Sequence, residues 1–214
     1  MRPLRMEDAS QATEIDREAF PTPWPPVSYR WELRLNKLTR YFVVCENEEG
    51  RPPSETEAGR ATKTKQGGLG VLSRVKHSLL GAGGHSGNNQ NILGVAGVWF
   101  MSEEAHLTTI AAREAYRRMG IGELLLISAI ELALFRNAQM LTLEVRKSNM
   151  PAQALYKKYG FKEVGVRRGY YTDNREDAII MTIDGLTSAS FQALYQRLKQ
   201  EHAARWGEAC LRLG

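Results

Sequence analysis

A glycine-containing loop between a strand-like and a helix-like segment constrains the fold of this 214-residue chain more than any other feature. The loop spans residues 117–122 (Arg-Arg-Met-Gly-Ile-Gly), after the apolar run 107–112 and before the apolar run 123–135. The first N–H groups of a helix have no partner inside it, and the helix dipole makes that end positive. Glycines let a backbone approach a ligand closely, so the loop predicts an anion site. The hexamer alone also fits a helix start with only a tight turn.

Composition places the chain among globular proteins long enough to bury a core, with 43% hydrophobic and 25% charged residues. The two cysteines, Cys45 and Cys210, lie far apart, which favours reduced thiols in a cytosolic protein. The first residues are charged rather than apolar, and no apolar run reaches membrane-spanning length. We therefore expect a cytoplasmic location and no membrane partner. The four histidines lack the spacing of metal ligands, so we expect no metal.

The net charge of +5 is concentrated in residues 51–91, which carry six basic and two acidic side chains. This segment also holds eight of the nineteen glycines and no aromatic residue. Such a composition cannot bury enough apolar surface to offset the entropy of ordering, so it predicts a disordered insertion between two hairpin-linked strands. Because the insertion has neither stacking side chains nor a fixed surface, we expect no specific nucleic-acid partner.

Hydrophobic periodicity and turn residues predict alternating strands and helices along the rest of the chain. The predicted helices cover residues 7–20, 28–37, 122–136, 151–159 and 187–206. The predicted strands cover residues 2–5, 41–45, 92–100, 105–112, 140–146, 161–168 and 177–183.

A series of motifs downstream of the loop carries a family resemblance. They are Leu-Glu-Val-Arg at 143–146, Ala-Leu-Tyr at 154–156, Gly-Phe at 160–161, Tyr-Tyr at 170–171 and Arg-Glu-Asp-Ala-Ile-Ile-Met at 175–181. With the loop, they resemble the GNAT-fold N-acetyltransferases, most closely the RimI type of bacterial ribosomal-protein-alanine N-acetyltransferases. The resemblance covers roughly residues 1–50 and 92–184.

The resemblance implies an α/β GNAT fold with a mixed, mostly antiparallel, splayed sheet flanked by helices. The acetyltransferase domain would span residues 1–186, interrupted by the insertion at 51–91, and residues 187–214 would form a C-terminal helical extension. The implied activity is transfer of an acetyl group from acetyl-CoA to a protein or peptide N-terminus. The implied acceptor is the N-terminal alanine of small-subunit ribosomal protein eighteen, attacked directly and without an acetyl-enzyme.

The resemblance also assigns roles to single residues. Glu144 would be the general base, acting directly or through water, and Tyr156 the general acid that protonates the departing coenzyme A thiolate. The implied coenzyme contacts are Ile110, Ala111, Ala112, Arg117, Arg118, Met119, Gly120, Ile121, Gly122, Glu123 and Asn149. Glu123 departs from the family pattern, since at that position a basic residue would bind a phosphate better than an acidic one. Trp24, Tyr170 and Tyr171 would flank the acceptor groove.

Each of these assignments has a purely structural alternative. Glu144 is also explained as a strand carboxylate paired with Arg146, and Tyr156 as a core tyrosine whose hydroxyl is satisfied. Asn149 is equally explained as the N-cap of the helix that follows. The aromatic pair and Trp24 are nearly as well explained by surface packing.

Several competing functions also stay open. In the first alternative, the chain is an acetyltransferase whose acceptor is another protein N-terminus, a lysine or a small amine. In the second, it is a coenzyme A-binding module without turnover. A carboxylate base mildly favours an α-amino acceptor, whose pKa of about 7.7–8.0 lies below the value of about 10.4 for lysine.

Overall fold

The computed structural model describes residues 1–20, 28–46 and 90–207. Contacts separate the chain into one unit, Met1–Glu46 with Asn91–Gly214, and a second unit, Asn47–Gln90. The second unit lies outside the described residues except for its last residue, as does nearly all of the insertion predicted at 51–91. Trp24 and Cys210 are likewise outside the described ranges.

The described residues form seven strands and five α-helices, close to the predicted pattern. In chain order they are β1 (Arg2–Pro3), α1 (Ala9–Ala19), α2 (Tyr29–Leu35), β2 (Thr39–Cys45), β3 (Ile92–Met101), β4 (Glu104–Ala112), α3 (Ile121–Phe135), β5 (Met140–Arg146), α4 (Met150–Lys158), β6 (Lys162–Tyr171), β7 (Glu176–Asp184) and α5 (Ala189–Trp206). Most predicted boundaries differ from the observed ones by one or two residues, and two differences are notable. The first helix begins later, because Met6–Asp8 form a 3-10 turn, and β6 continues to Tyr171.

The strands form one sheet in the order β1-β2-β3-β4-β5-β7-β6. Within the described sheet, β4 and β5 are the parallel pair and all other neighbours are antiparallel. The parallel pairing covers only three residue pairs and ends at His106↔Thr142, although β4 runs on to Ala112 and β5 to Arg146. The sheet is therefore mixed, mostly antiparallel and splayed between its two central strands, as predicted.

Helices cover both faces of the sheet. Successive residues of a strand point to opposite sides, so both faces present apolar side chains that a helix can cover. On one face, α1 and α2 pack through Ile15 and Tyr29 against Val43 and other inward residues of β2 and β3. On the other face, α3 lies on the sheet and contributes Leu125, Leu126 and Ile130, all fully buried. Full burial of each such side chain contributes about 1.5–3 kcal/mol.

The C-terminal helix α5 belongs to the core on the α3 face. Its side chains Phe191, Tyr195 and Leu198 are buried in the same cluster as α3, and the Tyr195 hydroxyl donates to the Ile127 carbonyl at 3.3 Å. The predicted helix at 187–206 is thus confirmed, and its apolar side is the one buried against the domain.

Candidate active site

A cavity of about 750 Å³ lies between the diverging strands β4 and β5. Residues 107–110 of β4 and 143–146 of β5 line it, together with the end of α1, the start of α4 and the β6–β7 hairpin. Six of the predicted site residues line this cavity, namely Ile110, Glu144, Asn149, Tyr156, Tyr170 and Tyr171. The other described coenzyme candidates lie further along, at the end of β4 and the start of α3.

Glu144 is held at the cavity wall by two partners. Its Oε2 lies 2.6 Å from His106 Nε2, and its Oε1 lies 3.0 Å from an Arg167 guanidinium nitrogen. Only 8% of the Glu144 side chain is exposed. Burial alone would raise the pKa of the Glu144 carboxyl, but the hydrogen bond from His106 and the charge of Arg167 outweigh it, so the pKa lies below its ordinary value. Glu144 is therefore a carboxylate near neutral pH.

The structural alternative that paired Glu144 with Arg146 is wrong. Arg146 instead binds Asp173 at 2.9 Å and Glu176 at 3.2 Å, and its guanidinium lies 3.9 Å from the Tyr171 ring centroid. The reason is geometric. Residues two apart on one strand are about 6.6 Å apart along it, whereas the β6–β7 turn brings two carboxylates directly to the guanidinium.

Tyr156 lies in α4 and packs its ring at 5.6 Å from Phe161. It is 5% exposed and lines the cavity, and its hydroxyl has no hydrogen-bond partner among the described residues. The alternative of a core tyrosine with a satisfied hydroxyl therefore does not describe it. Burial and the nearby Tyr171 raise the pKa of Tyr156 above its ordinary value, so the phenol keeps its proton at neutral pH.

Asn149 is the N-cap of α4, because its side chain accepts a hydrogen bond from the Ala152 N–H at 3.2 Å. The capping interpretation is thus confirmed. Asn149 also lines the cavity, and its predicted contact with the coenzyme stays a prediction.

The predicted anion loop leads into α3. Gly120 is the N-cap residue, with a φ of 77° that glycine adopts at low cost. A Cβ added to Gly122 would meet open space, so the backbone is open on that side. Arg117 donates to the Glu18 carbonyl at 3.2 Å and lies 3.8 Å from Glu114. These features fit a loop that binds a phosphate group with its backbone.

Glu123, the departure from the family pattern, is neutralised by its neighbours. Its Oε1 accepts hydrogen bonds from Lys158 Nζ at 2.7 Å and from the Tyr159 hydroxyl at 2.8 Å. Burial would raise the pKa of the Glu123 carboxyl, but these hydrogen bonds and the Lys158 charge outweigh it and lower that pKa. The first turn of α3 therefore carries an ion pair rather than a lone negative charge.

Tyr170 and Tyr171 end β6 and pack edge to face, with centroids 5.3 Å apart. Both line the cavity. They lie on β6 itself, beyond residue 168 where the predicted strand ended. Trp24, the third predicted acceptor residue, falls outside the described residues.

The sequence did not single out three residues of this site. His106 and Arg167 hold Glu144, and Asp16 also lines the cavity, with one carboxylate oxygen that is buried and has no partner among the described residues. The sequence indicated only that His106 lies in a strand. Its contact with Glu144 depends on the register between β4 and β5, which the sequence does not give.

Membrane-spanning and metal-binding features are both missing from the part of the chain that the structure describes. No described helix is long and apolar enough to cross a membrane. Among the described side chains there is no group of three or more His, Cys, Asp or Glu that could hold a metal ion.

Comparison with known proteins agrees with the motifs. The sequence profile of the Acetyltransferase (GNAT) family matches residues 73–161. A protein of Bacillus subtilis (strain 168), provisionally named a ribosomal protein bS18-alanine N-acetyltransferase, is 33% identical over 86% of this chain and 93% of its own length. An N-alpha-acetyltransferase of Saccharolobus solfataricus is 47% identical over 85% of this chain and 90% of its own length.

A solved structure shows the same fold. The crystal structure of the ribosomal-protein-S18-alanine N-acetyltransferase from Escherichia coli superposes with a TM-score of 0.59 and 27% identity. The match covers 85% of this chain and 90% of that chain. The predicted α/β fold with a splayed sheet is confirmed.

Proposed function

The chain belongs to the GNAT acetyltransferase family, and from this premise we propose that it acetylates the α-amino group of a protein N-terminus, with acetyl-CoA as donor. The proposed acceptor is the N-terminal alanine of ribosomal protein bS18. The observation that carries the proposal is that Glu144 and Tyr156, the two residues suited to proton transfer, line one cavity between the diverging strands.

The choice of acceptor is supported by relatives and by chemistry. Two proteins that the chain resembles over most of their length bear the name of a bS18-alanine N-acetyltransferase, and a third is named an N-alpha-acetyltransferase. An α-amino group, with a pKa of about 7.7–8.0, is partly neutral near pH 7, whereas a lysine amine at about 10.4 is almost fully protonated. A base of low pKa such as Glu144 therefore suits an N-terminal amine better.

The donor is supported by the fit of two backbone features. Beyond His106, β4 does not pair with β5 in the described sheet, which leaves backbone groups of residues 107–112 available to an extended ligand. The start of α3 offers N–H groups beside Gly120 and Gly122, and the backbone is open on the Cβ side of Gly122. When bound there, acetyl-CoA supplies the acetyl group as a thioester. A cytoplasmic location stays a prediction.

Removal of a proton from the acceptor amine is assigned to Glu144 together with His106. Glu144 lines the cavity, and the imidazole of His106 bonds to its Oε2. Because the lowered pKa makes Glu144 a weak base alone, we assign uptake of the amine proton, directly or through water, to the hydrogen-bonded pair of Glu144 and His106.

Donation of a proton to the departing thiolate is assigned to Tyr156. Its hydroxyl keeps its proton at neutral pH and, among the described residues, has no other partner to hold it. A phenol in a buried site can then give up that proton to a thiolate formed beside it.

The deciding experiment compares two peptides as acceptors for acetyl-CoA. One carries the bS18 N-terminus with a free alanine, and the other has the same sequence with a blocked N-terminus and an internal lysine. We expect turnover only of the free N-terminus. Glu144→Gln and Tyr156→Phe should each lower kcat by about 10²–10⁴-fold.

The control is Tyr195→Phe, which removes a buried hydroxyl of a residue that does not line the cavity and should keep kcat near that of the natural protein. Equal turnover of both peptides would refute the assignment to N-termini. Binding of coenzyme A without turnover of either peptide would refute this acceptor and would point to small amines or to a non-catalytic role.

A further inference from the structure

The end of α5 lies against the loop that begins α3. His202 Nε2 is 3.1 Å from the Gly120 carbonyl oxygen, and since a carbonyl only accepts, the imidazole donates this hydrogen bond. His202 is 6% exposed. The Trp206 indole also packs against Gly120, since a Cβ added to that glycine would lie 2.7 Å from Trp206 Nε1. Two α5 side chains therefore touch the same loop glycine.

This contact fixes the orientation of one peptide plane. The Gly120 carbonyl accepts from the Leu124 N–H at 2.8 Å and also from His202, so both of its lone pairs are used. A peptide is planar and trans, so the Ile121 N–H points opposite to that carbonyl. Glycine at a positive φ rotates easily, and a plane beside it keeps its orientation only when another group holds it.

The anchoring of α5 makes it a rigid support. Phe191 and Leu198 are buried in the main core, and Tyr195 donates to a carbonyl of α3 at 3.3 Å. Lys199 forms an ion pair with Glu131, also on α3. Because α5 is attached to α3 by core contacts along its length, its last turn has a defined position relative to Gly120.

We propose that α5 positions the coenzyme loop, with His202 and Trp206 holding the Gly120–Ile121 peptide so that the Ile121 N–H faces the pyrophosphate of acetyl-CoA. His202 is then a positioning residue, because it acts through the backbone of Gly120. The identity of the ligand rests on the proposed function, whereas the support of the loop by α5 rests on contacts within the protein.

The test compares His202→Leu, which removes the donor, with His202→Gln, whose side-chain amide can still donate. We expect His202→Leu to weaken coenzyme A binding by about 3–10-fold, as for loss of one hydrogen bond, when the full-length protein is titrated by isothermal calorimetry. His202→Gln should stay within about 2-fold of the natural protein. The KM for acetyl-CoA should rise in His202→Leu, and the KM for the acceptor peptide should not.

A matched control separates loop position from general stability. Tyr195→Phe removes a different hydrogen bond between α5 and α3 and should lower the Tm but leave coenzyme A affinity unchanged. Amide hydrogen exchange at Leu124, measured without ligand, should speed up in His202→Leu and not in Tyr195→Phe. If His202→Leu does not fold, Trp206→Ala tests the same contact at a partly exposed residue.

Coenzyme A affinity and Leu124 exchange both unchanged in His202→Leu would overturn the inference. If the natural protein itself bound no coenzyme A, the proposed function would fall instead. The exchange rate at Leu124 would then still decide whether α5 holds the loop.

Discussion

His106, in the last residue pair that joins β4 to β5, places its Nε2 2.6 Å from the carboxylate of Glu144, which lies two residues beyond that pair on β5. The imidazole and the carboxylate thus meet at the point where the sheet opens. Arg167 approaches the second oxygen of Glu144 from β6. Three strands therefore contribute to the charge and orientation of one carboxylate, and this arrangement leads to the first two predictions.

Replacing Arg167 should move the acid side of the pH profile. Arg167→Met removes a positive charge 3.0 Å from Glu144, so the lowered pKa of Glu144 should rise and its carboxylate should become protonated at a higher pH. Activity on the acid side is then lost at a higher pH, and the change is small because solvent screens the half-exposed Arg167. The measurement is kcat/KM for the peptide between pH 5 and 9. Arg168→Met, the same charge change on the next residue, should leave the profile unchanged.

Replacing His106 should separate proton uptake from orientation. His106→Gln keeps a donor for Glu144 but removes the imidazole. We expect kcat to fall by about 10–100-fold, with little change in the KM for either substrate. The measurement is steady-state kinetics at pH 7.5. A His106→Gln protein with the kcat of the natural protein would reduce His106 to a purely orienting role.

The buried carboxyl of Asp16 should make stability depend on pH. Its Oδ2 accepts from the Tyr29 hydroxyl at 2.6 Å, and its Oδ1 is buried with no hydrogen-bond partner in the described part of the chain. Burial raises the pKa of Asp16 to about 6, although the Tyr29 hydrogen bond opposes this. The folded protein therefore holds this proton more tightly than the unfolded chain, whose aspartate pKa is about 3.9, and stability falls as the pH rises from about 4 to 6.

Asp16→Asn removes that charge at every pH. Relative to the natural protein, it should gain up to about 2–3 kcal/mol of unfolding free energy between pH 4 and pH 7. Urea denaturation at several pH values measures this difference. Asp184→Asn, at an exposed carboxylate, should show no such trend. A pH-independent difference for Asp16→Asn would contradict the prediction.

Lys158 should matter for coenzyme binding through Glu123. Lys158→Ala leaves the Glu123 carboxylate uncompensated in the first turn of α3, where an anion is expected to bind. We expect coenzyme A affinity to fall by about 3-fold at low ionic strength and to recover at high salt, because charges near the surface are screened. The double variant with Glu123→Gln should restore affinity.

Lys157→Ala is the matched control for this variant. Lys157 is the adjacent lysine and pairs with Glu163 at 2.7 Å rather than with the loop. Equal effects of the two alanine substitutions on coenzyme A affinity would show that the specific pair with Glu123 is unimportant.

Local pattern was enough to predict most of the fold. The strand at Met140–Arg146 and the start of β3 at Ile92 agree with the predicted boundaries, because apolar alternation and flanking turn residues are properties of adjacent residues. The loop at Gly120 was also recognisable, because a glycine directly before a long apolar run is typical of a turn that starts a helix.

Relationships between distant residues could not be predicted in the same way. His106 and Glu144 are 38 residues apart, and His202 and Gly120 are 82 apart, so their contacts depend on register and helix packing. The sequence offered Arg146 as partner for Glu144 because both lie on one strand face. In the structure, Arg146 instead pairs with two carboxylates of the β6–β7 hairpin, and Arg167 is the cation that pairs with Glu144.

The early end of the β4–β5 ladder at His106 and Thr142 leaves a gap in the middle of a folded sheet rather than at its rim. Each strand beside that gap has backbone N–H and C=O groups that would normally form hydrogen bonds with a neighbouring strand. A ligand that lies along residues 107–112 would take over that missing neighbour's role. Binding would then also complete the fold, so the melting temperature should rise with ligand concentration as binding linkage requires. The bound ligand would in this sense act as a short additional strand of the sheet.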